Sequence, residues 1–237
     1  MFTKQHRILS MKLIVTCEHG GNTIPSDYQD YFKNSDEILQ SHRGLDLGAL
    51  DVFNTLKPLA EYSNYSTTSR LLIELNRSLY HKNLFSEFTK NLTDSEKETI
   101  IKHFYLPYRN TVETEIRRLI TNNKTVIHIS IHSFTPILNT VKRTCDIGIL
   151  YDSSIQGEKL WAARLKASIK KEDNNLNVRY NYPYLGKADG FTTYLRQQCP
   201  SNYLGIELEI NQKFSRQNEM PLTLKNTLFQ AIKKTLN

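Results

Sequence analysis

The chain has 237 residues, of which 39% are hydrophobic and 23% are charged, and this composition is that of an ordinary globular protein rather than a disordered or fibrous one. Its length favours one large domain with a single core over two independent domains. The net charge of +7 would permit binding to nucleic acid or to an acidic membrane, but the lysines and arginines are scattered along the chain. We therefore expect neither nucleic acid nor membrane as a partner, and a basic site that attracts small anions is the simpler interpretation.

The sequence shows no disulfide framework, signal peptide or membrane segment. Its three cysteines are widely spaced and include no CxxC pair, which favours a reducing compartment. No apolar run reaches the roughly 18 residues of a membrane helix, and MFTKQHRILS lacks the continuous apolar region of a signal peptide. We predict a cytoplasmic protein with a flexible N-terminal extension at residues 1–10 and a single domain at residues 11–237.

Short β-branched segments alternate with longer helical segments along the chain. Strands are predicted at residues 12–16, 62–67, 124–131, 146–151, 177–180 and 204–210. Helices are predicted at residues 45–60, 93–122, 155–172 and 222–236. The second helix opens with a capping box formed by Thr93 and Glu96, and Pro107 should interrupt it. This alternation predicts an α/β fold with a mixed, mostly parallel central sheet and helices on both faces.

The segment CEHGGNTIP, residues 17–25, places a histidine where the first predicted strand ends. His19 would project from the carboxyl end of the strand, where sites in α/β sheets gather. Gly20 and Gly21 would leave the backbone bare enough for another group to approach closely. One histidine alone is better explained by a tight turn with a surface side chain, so His19 needs support from a second residue.

The segment KTVIHISIH, residues 124–132, supplies a second strand-end histidine. Alternation along the strand puts three isoleucines on one face and His128, Ser130 and His132 on the other, with His132 at the carboxyl end. We interpret His128 as a buried structural histidine. Because hydrolytic zinc sites often combine two histidines with one carboxylate and leave a position for water, His19 and His132 are candidate metal ligands.

The sequence leaves open which carboxylate would complete such a site. Asp46, in HRGLDLGA at the start of a predicted helix, is the preferred third ligand. Glu18 is the alternative third ligand. In an extended segment, however, the side chains of the adjacent residues Glu18 and His19 would point in opposite directions. A purely structural role, in which Asp46 is an acid at a helix N-terminus stabilised by the helix dipole, explains this residue at least as well as metal binding.

Two further segments carry charged groups beside apolar runs. In SRLLIELNRS, Arg70 and Arg77 flank an apolar run. The planar guanidinium group of arginine binds carboxylates with two hydrogen bonds, so this pair suggests an anionic substrate. Two surface arginines in weak ion pairs would explain the same pattern. In GIELEIN, Glu207 and Glu209 share one face of a predicted strand. Acids are rarely buried without partners, so a functional general base competes here with an edge strand that has a solvated face.

In this order, CEHGGNTIP, HRGLDLGA, SRLLIELNRS, HSFTP, RTCDIGILYD and GIELEINQ resemble the N-formylglutamate amidohydrolase (N-formylglutamate deformylase) family, which is related to zinc carboxypeptidases and aspartoacylases. The motifs extend over residues 11–214. The resemblance implies a three-layer carboxypeptidase-like α/β fold and one Zn²⁺ ion or another divalent metal. It also implies a small anionic N-acyl amino acid, such as N-formyl-L-glutamate, as substrate, and it leaves the oligomeric state open.

The resemblance implies His19 and His132 as metal ligands, together with Asp46 in the family's DxG element. The chain departs from the carboxypeptidase pattern, in which a ligand glutamate follows the first ligand histidine by three positions, because that position is Asn22 here. Glu74 also stands where many relatives have aspartate before the Asn-Arg pair. Asp46 is therefore the expected third ligand.

For catalysis the resemblance implies Glu209 as the acid/base glutamate and Arg70 as the arginine that stabilises an oxyanion. The LNR element resembles the DLNR element that holds a substrate carboxylate, with Asn76 and Arg77 at the matching positions, and Arg143 resembles a further anion-binding arginine. One alternative is a zinc carboxypeptidase or peptide amidase that acts on another anionic substrate. The other is a non-catalytic anion- or nucleic-acid-binding protein on the same scaffold.

Overall fold

The structure is a computed structural model that describes residues 10–236. Nearly all of the predicted N-terminal extension, residues 1–9, lies outside the described residues, and Ser10 is exposed. Within residues 10–236, no helix combines the length and the apolar character that a membrane crossing requires.

A six-stranded sheet forms the centre of the fold. In chain order its strands are β1 (Met11–Cys17), β2 (Tyr62–Tyr65), β3 (Thr125–Phe134), β6 (Ile147–Leu150), β7 (Val178–Tyr180) and β8 (Tyr203–Asn211), and β4 (Ile137–Leu138) and β5 (Val141–Lys142) form a separate antiparallel hairpin. Across the sheet the order is β2-β1-β3-β8-β6-β7. The first four strands are parallel to one another, and β6 and β7 run in the opposite direction.

Helices cover both faces of this sheet. They are α1 (Asp36–Leu39), α2 (Ala49–Leu56), α3 (Asp94–Ile100), α4 (Leu106–Thr121), α5 (Gln156–Glu172), α6 (Phe191–Gln198) and α7 (Leu222–Leu236), with 3-10 turns at Ser26–Phe32, Lys57–Leu59 and Gln212–Phe214. The apolar side chains of α2, α5 and α7 pack on one face, and those of α3, α4 and α6 pack on the other. The predicted α/β fold with a mixed, mostly parallel sheet is confirmed.

Two helices differ from their predicted bounds for local reasons. The helix predicted from residue 45 begins at Ala49, because Gly48 before it has a φ of 77°, a conformation outside the helix. Thr93 and Glu96 form the predicted capping box of α3. At Pro107 the regular α-helix is interrupted by a π-turn at Ile101–Tyr105, and the chain then continues as α4. Proline favours such an interruption because it lacks an N–H and its ring crowds the carbonyl group of the preceding turn.

The two faces of β3 explain where the candidate site lies. Its isoleucines pack in the core with α2, α5 and α7, whereas His132 projects toward the opposite layer. The register of β3 and β8 pairs His132 with Glu209. Because β1, β3 and β8 are parallel neighbours, their carboxyl ends bring His19, His132 and Glu209 to the same edge of the sheet.

Candidate active site

Three buried side chains, His19, Asp46 and His132, meet at this edge and are called the metal triad below. Their exposures are 2%, 3% and 3%. Oδ2 of Asp46 lies 3.3 Å from Nδ1 of His19 and 2.9 Å from Nδ1 of His132. One ligand atom from each residue lies within 4.8 Å of the other two. Two imidazoles and one carboxylate form a donor set that suits zinc, so the triad could hold a metal ion.

Asp46 is fixed in this position although it lies in a loop before α2. Its backbone N–H donates to the carbonyl of His19 at 2.9 Å. Its side chain accepts from the backbone N–H of Ser133 at 3.3 Å and from Nη1 of Arg70 at 3.0 Å. These contacts tie the loop to the ends of both β1 and β3, and they orient the carboxylate toward the two histidines.

Gly20 and Gly21 make room for the chain itself. A Cβ atom on Gly21 would lie 2.7 Å from the Cα and carbonyl oxygen of Thr67, and one on Gly20 would lie 2.9 Å from the carbonyl oxygen of Ser66. The N–H of Thr23 donates to the carbonyl of Thr67 at 2.8 Å. Another group does approach this bare backbone closely, as the sequence predicts, and that group is the segment after β2.

The second nitrogen of each triad histidine faces another buried carboxylate. Nε2 of His19 donates to Oε1 of Glu74. Nε2 of His132 lies 3.3 Å from Oε2 of Glu18 and 2.9 Å from Oγ of Ser130. Carboxylates in such outer positions fix the orientation and tautomer of ligating histidines. The structure thus places Glu18 behind His132 and Asp46 within the triad.

The charges of this cluster shift the pKa values of its members. Burial alone would lower the pKa of His132, but hydrogen bonds to Asp46 and Glu18 outweigh burial and raise it. Burial alone would raise the pKa of Asp46, yet the charge of His19 and the hydrogen bond from His132 hold it well below its usual range. Asp46 is thus kept ionised, and a metal ion at this site would compete with protons for the histidine nitrogens.

Glu209 contributes a carboxyl group without a partner. It is 5% exposed, and its Oε2 has no hydrogen-bond partner within residues 10–236. Burial raises the pKa of Glu209 to about 8, with His132 opposing this shift and Asp46 adding to it. A buried carboxyl group with a free oxygen and a raised pKa is suited to proton transfer.

A cavity of about 180 Å³ opens over the triad and Glu209. Among the other predicted site residues, Arg70, Asn76 and Arg77 line this cavity. Arg143 is not part of the lining. Its guanidinium lies 5.3 Å from the ring centre of Tyr184, and Tyr184 is a lining residue. The structure therefore brings together every predicted site residue except Arg143.

Arg70 and Asn76 are engaged with the groups around the triad. Nε of Arg70 donates to Glu74 at 2.9 Å while its Nη1 donates to Asp46, so one guanidinium bridges two carboxylates. Nδ2 of Asn76 lies 3.3 Å from Nε2 of His132. Arg70 is thus held beside the metal triad by opposite charges, which raise its pKa although burial would lower it.

Sequence reasoning does not identify several residues of this site. The sequence does not predict that Glu18 and Glu74 support the histidines. The only signal for this role is that each is an acidic residue within a site motif, CEHGGNTIP for Glu18 and SRLLIELNRS for Glu74. Tyr184 and Asp189 line the cavity from the loop between β7 and α6, where no motif marks them. Glu207, which the sequence places on the same strand face as Glu209, lines the cavity as well and accepts a hydrogen bond from Thr192 at 2.6 Å.

Comparison with known proteins supports the resemblance seen in the motifs. The sequence model of the N-formylglutamate amidohydrolase family matches residues 11–215, whereas a comparison with curated proteins finds no match. The fold is similar to the crystal structure of gene product Atu2144 from Agrobacterium tumefaciens, with a TM-score of 0.79 and 25% identity, covering 96% of this chain and 91% of that one. It is also similar to N-formylglutamate amidohydrolase from Ralstonia eutropha JMP134, with a TM-score of 0.68 and 15% identity, covering 96% and 92%. Because the family match extends over most of the chain and includes the whole metal triad, this protein belongs to the N-formylglutamate amidohydrolase family.

Proposed function

We propose that this protein is a zinc-dependent amidohydrolase that cleaves the amide bond of a small anionic N-acyl amino acid such as N-formyl-L-glutamate. The observation that carries the proposal is the metal triad beside the unpartnered carboxyl group of Glu209 in one cavity. Membership of the family, and the name of the structurally similar Ralstonia enzyme, support an N-formyl amino acid as the substrate.

The residues of the triad fit a zinc ion. They offer two imidazole nitrogens and a carboxylate oxygen, and carboxylates behind both histidines leave Nδ1 of each ring available for a metal. Zinc in such a site supplies Lewis acidity, which makes water a stronger acid and polarises a carbonyl group.

Glu209 would accept a proton from the attacking water and deliver it to the departing amine nitrogen. Its Oε2 is not held by another hydrogen bond within residues 10–236, so it is available for both transfers. A cation at the triad would lower its pKa from about 8, since a nearby opposite charge favours the carboxylate. In its ionised form the carboxyl group can act first as a base and, once protonated, as an acid.

Three residues of the lining would bind and orient the substrate. Arg70 would stabilise negative charge on the former carbonyl oxygen, and the loss of one such donor typically costs about 2.7 to 4 kcal/mol of barrier. Asn76 and Arg77 would hold a substrate carboxylate, because amide and guanidinium groups donate to both of its oxygens. Arg143 is not part of the lining and has no substrate contact in this proposal.

The Glu209→Gln variant tests this proposal. It keeps the shape of the side chain but removes the proton acceptor, so we expect kcat to fall about 10²- to 10⁴-fold. The zinc content should stay at the wild-type level. Glu61→Gln, which changes a surface glutamate paired with Lys12, is the control and should retain full activity.

The substrate class is tested by parallel assays of N-formyl-L-glutamate, N-acetyl amino acids and short peptides. The proposal predicts that the N-acyl amino acids are hydrolysed fastest. Faster hydrolysis of peptides would support a carboxypeptidase or peptide amidase. A protein that binds no zinc and hydrolyses none of these compounds would contradict the proposal, as would wild-type kcat in Glu209→Gln.

A further inference from the structure

Arg109 of α4 is a buried cation to which the proposed function gives no role. It is 3% exposed, and its guanidinium forms no ion pair with a carboxylate of residues 10–236. Burial lowers the pKa of Arg109, but an arginine stays charged in a protein. Since a buried charge without a counter-ion is costly, its neighbours must compensate in another way.

Three aromatic rings surround this guanidinium. Its Cζ lies 4.8 Å from the ring centre of Tyr105, 4.4 Å from that of Phe191 and 4.6 Å from that of Tyr194. Cation–π attraction is strongest where the cation is removed from water. Because Phe191 and Tyr194 belong to α6, the stack fixes the start of α6 against α4.

The hydrogen bonds of Arg109 go to the segment that carries the predicted substrate-binding residues. Nη1 donates to the carbonyl of Leu75 at 2.9 Å and to the carbonyl of Arg77 at 3.1 Å. The hydroxyl of Tyr105 donates to the same carbonyl of Arg77 at 2.7 Å. The backbone on both sides of Asn76 is thus held by a charged donor, and such hydrogen bonds are stronger than neutral ones.

The same segment is joined directly to the residues around the start of α6. Oδ1 of Asn76 accepts from the N–H of Phe191 at 2.6 Å, and Nη1 of Arg77 donates to the carbonyl of Asp189 at 2.6 Å. Asn76, Arg77 and Asp189 all line the cavity. Arg109 therefore contacts both segments that build this wall, one through hydrogen bonds and the other through the ring of Phe191.

We propose that Arg109 is a positioning residue, which holds the backbone of residues 75–77 against α6 so that Asn76 and Arg77 face the substrate. This inference rests on the proposed function, because it is that function which gives Asn76 and Arg77 a substrate carboxylate to bind. An apolar residue could fill the space among the rings, but it would donate nothing to the two carbonyl groups.

The first test is the Arg109→Met variant, which keeps a long apolar side chain but removes the charge and the donors. We expect KM for N-formyl-L-glutamate to rise about 10- to 100-fold, which corresponds to the loss of charged hydrogen bonds. We expect kcat to change by less than about threefold, because the groups at the reacting bond are untouched. Zinc content should not change.

Two further variants separate positioning from a general loss of stability. Ile116→Ala removes a fully buried side chain from the same helix, away from the cavity wall, and its KM should equal that of the wild type. Tyr105→Phe keeps the ring but removes one donor to the carbonyl of Arg77, and it should raise KM by a smaller factor, about three- to tenfold. A rise of KM in Ile116→Ala equal to that in Arg109→Met would contradict the proposal.

A double-mutant cycle shows whether Arg109 acts through Arg77. In an Arg77→Met background, Arg109→Met should raise KM by a smaller factor than in the wild type, because only its effect on Asn76 remains, whereas independent effects would multiply. If Arg77→Met raises KM and Arg109→Met does not, the positioning role is wrong while the role of Arg77 stands. If Arg77→Met leaves KM unchanged, the proposed substrate contact of Arg77 is wrong.

A crystal structure of Arg109→Met gives a readout that does not depend on any substrate. The proposal predicts that the Arg77–Asp189 and Asn76–Phe191 hydrogen bonds are lost or displaced in this variant. If both bonds keep their wild-type geometry, Arg109 does not position this wall.

Discussion

His19 and His132 each present one ring nitrogen to Asp46 and the other to a second carboxylate. A carboxylate behind an imidazole makes that ring a better metal ligand, because it stabilises the positive charge that metal binding induces on the ring. Glu74 and Glu18 occupy these two positions, and both are buried. We therefore expect both carboxylates to increase the affinity for the metal ion, and this effect can be measured separately from the rate of turnover.

Replacing Glu74 or Glu18 by glutamine should weaken zinc binding by about 10- to 100-fold, because a neutral amide supports the imidazole less well than a carboxylate. Competition with a chelator of known affinity measures the change without a substrate. Glu61→Gln on the surface is the matched control and should bind zinc like the wild type. Unchanged zinc affinity in both buried variants would show that these carboxylates do not support the site.

His128 shows a different use of a buried histidine. It is fully buried in β3, and its two ring nitrogens lie 2.8 Å from Oγ1 of Thr16 and 2.8 Å from the hydroxyl of Tyr203. Burial lowers the pKa of His128 from 6.5 to about 4. With both nitrogens engaged, His128 has the geometry of the structural histidine that the sequence predicts.

The shifted pKa of His128 predicts how stability depends on pH. The unfolded chain binds this proton near pH 6.5 and the folded chain only near pH 4, so the free energy of unfolding should fall as the pH decreases between these values. The contribution of His128 to this fall approaches about 3 kcal/mol. His128→Gln cannot titrate, and urea denaturation at several pH values should show a shallower fall for it. Equal slopes in the variant and the wild type would contradict this assignment.

Among the structural elements, α5, α6 and β8 are joined through one buried carboxylate. Glu158 of α5 accepts from Nε of Arg196 at 2.8 Å and from its Nη2 at 3.1 Å. It also accepts from the N–H of Gly205 in β8 at 2.8 Å. Because α6 begins beside the cavity wall, this anchor also fixes the position of the wall.

Glu158→Gln should therefore lower the free energy of unfolding by about 3 to 5 kcal/mol, since it leaves the charge of Arg196 buried without its partner. The Lys12–Glu61 pair on the surface offers the comparison, and Glu61→Gln should cost less than about 1 kcal/mol. Chemical denaturation of the two variants measures the difference. Similar losses in both would show that burial does not determine the strength of the Glu158 pair.

The elements differ in how well the sequence predicts them. All six strands of the central sheet are predicted, because each contains β-branched or aromatic residues that give a local signal. The pattern does not predict α6, which has only eight residues and buries Phe191, Thr192 and Leu195 through contacts with distant parts of the chain. The β4–β5 hairpin is also not predicted, since its strands have two residues each.

At the scale of the whole molecule, the parallel sheet explains which site residues can be predicted. The strand-end rule brings His19, His132 and Glu209 together once the strands are known. Arg143 comes directly after the β4–β5 hairpin, and its guanidinium lies over the ring of Tyr184. Arg143 itself is not part of the cavity lining, and no sequence motif predicts this position. The supporting contacts of Arg109 depend on tertiary packing alone, so the sequence gives no signal for them.

The central claim is that His19, Asp46 and His132 bind one zinc ion beside Glu209. A crystal structure of the zinc-loaded protein, with anomalous data collected at the zinc absorption edge, tests it most directly. The account predicts one ion about 2.0 to 2.2 Å from Nδ1 of each histidine and from a carboxylate oxygen of Asp46. An ion held by other side chains, or an active enzyme without an ion at the triad, would contradict it.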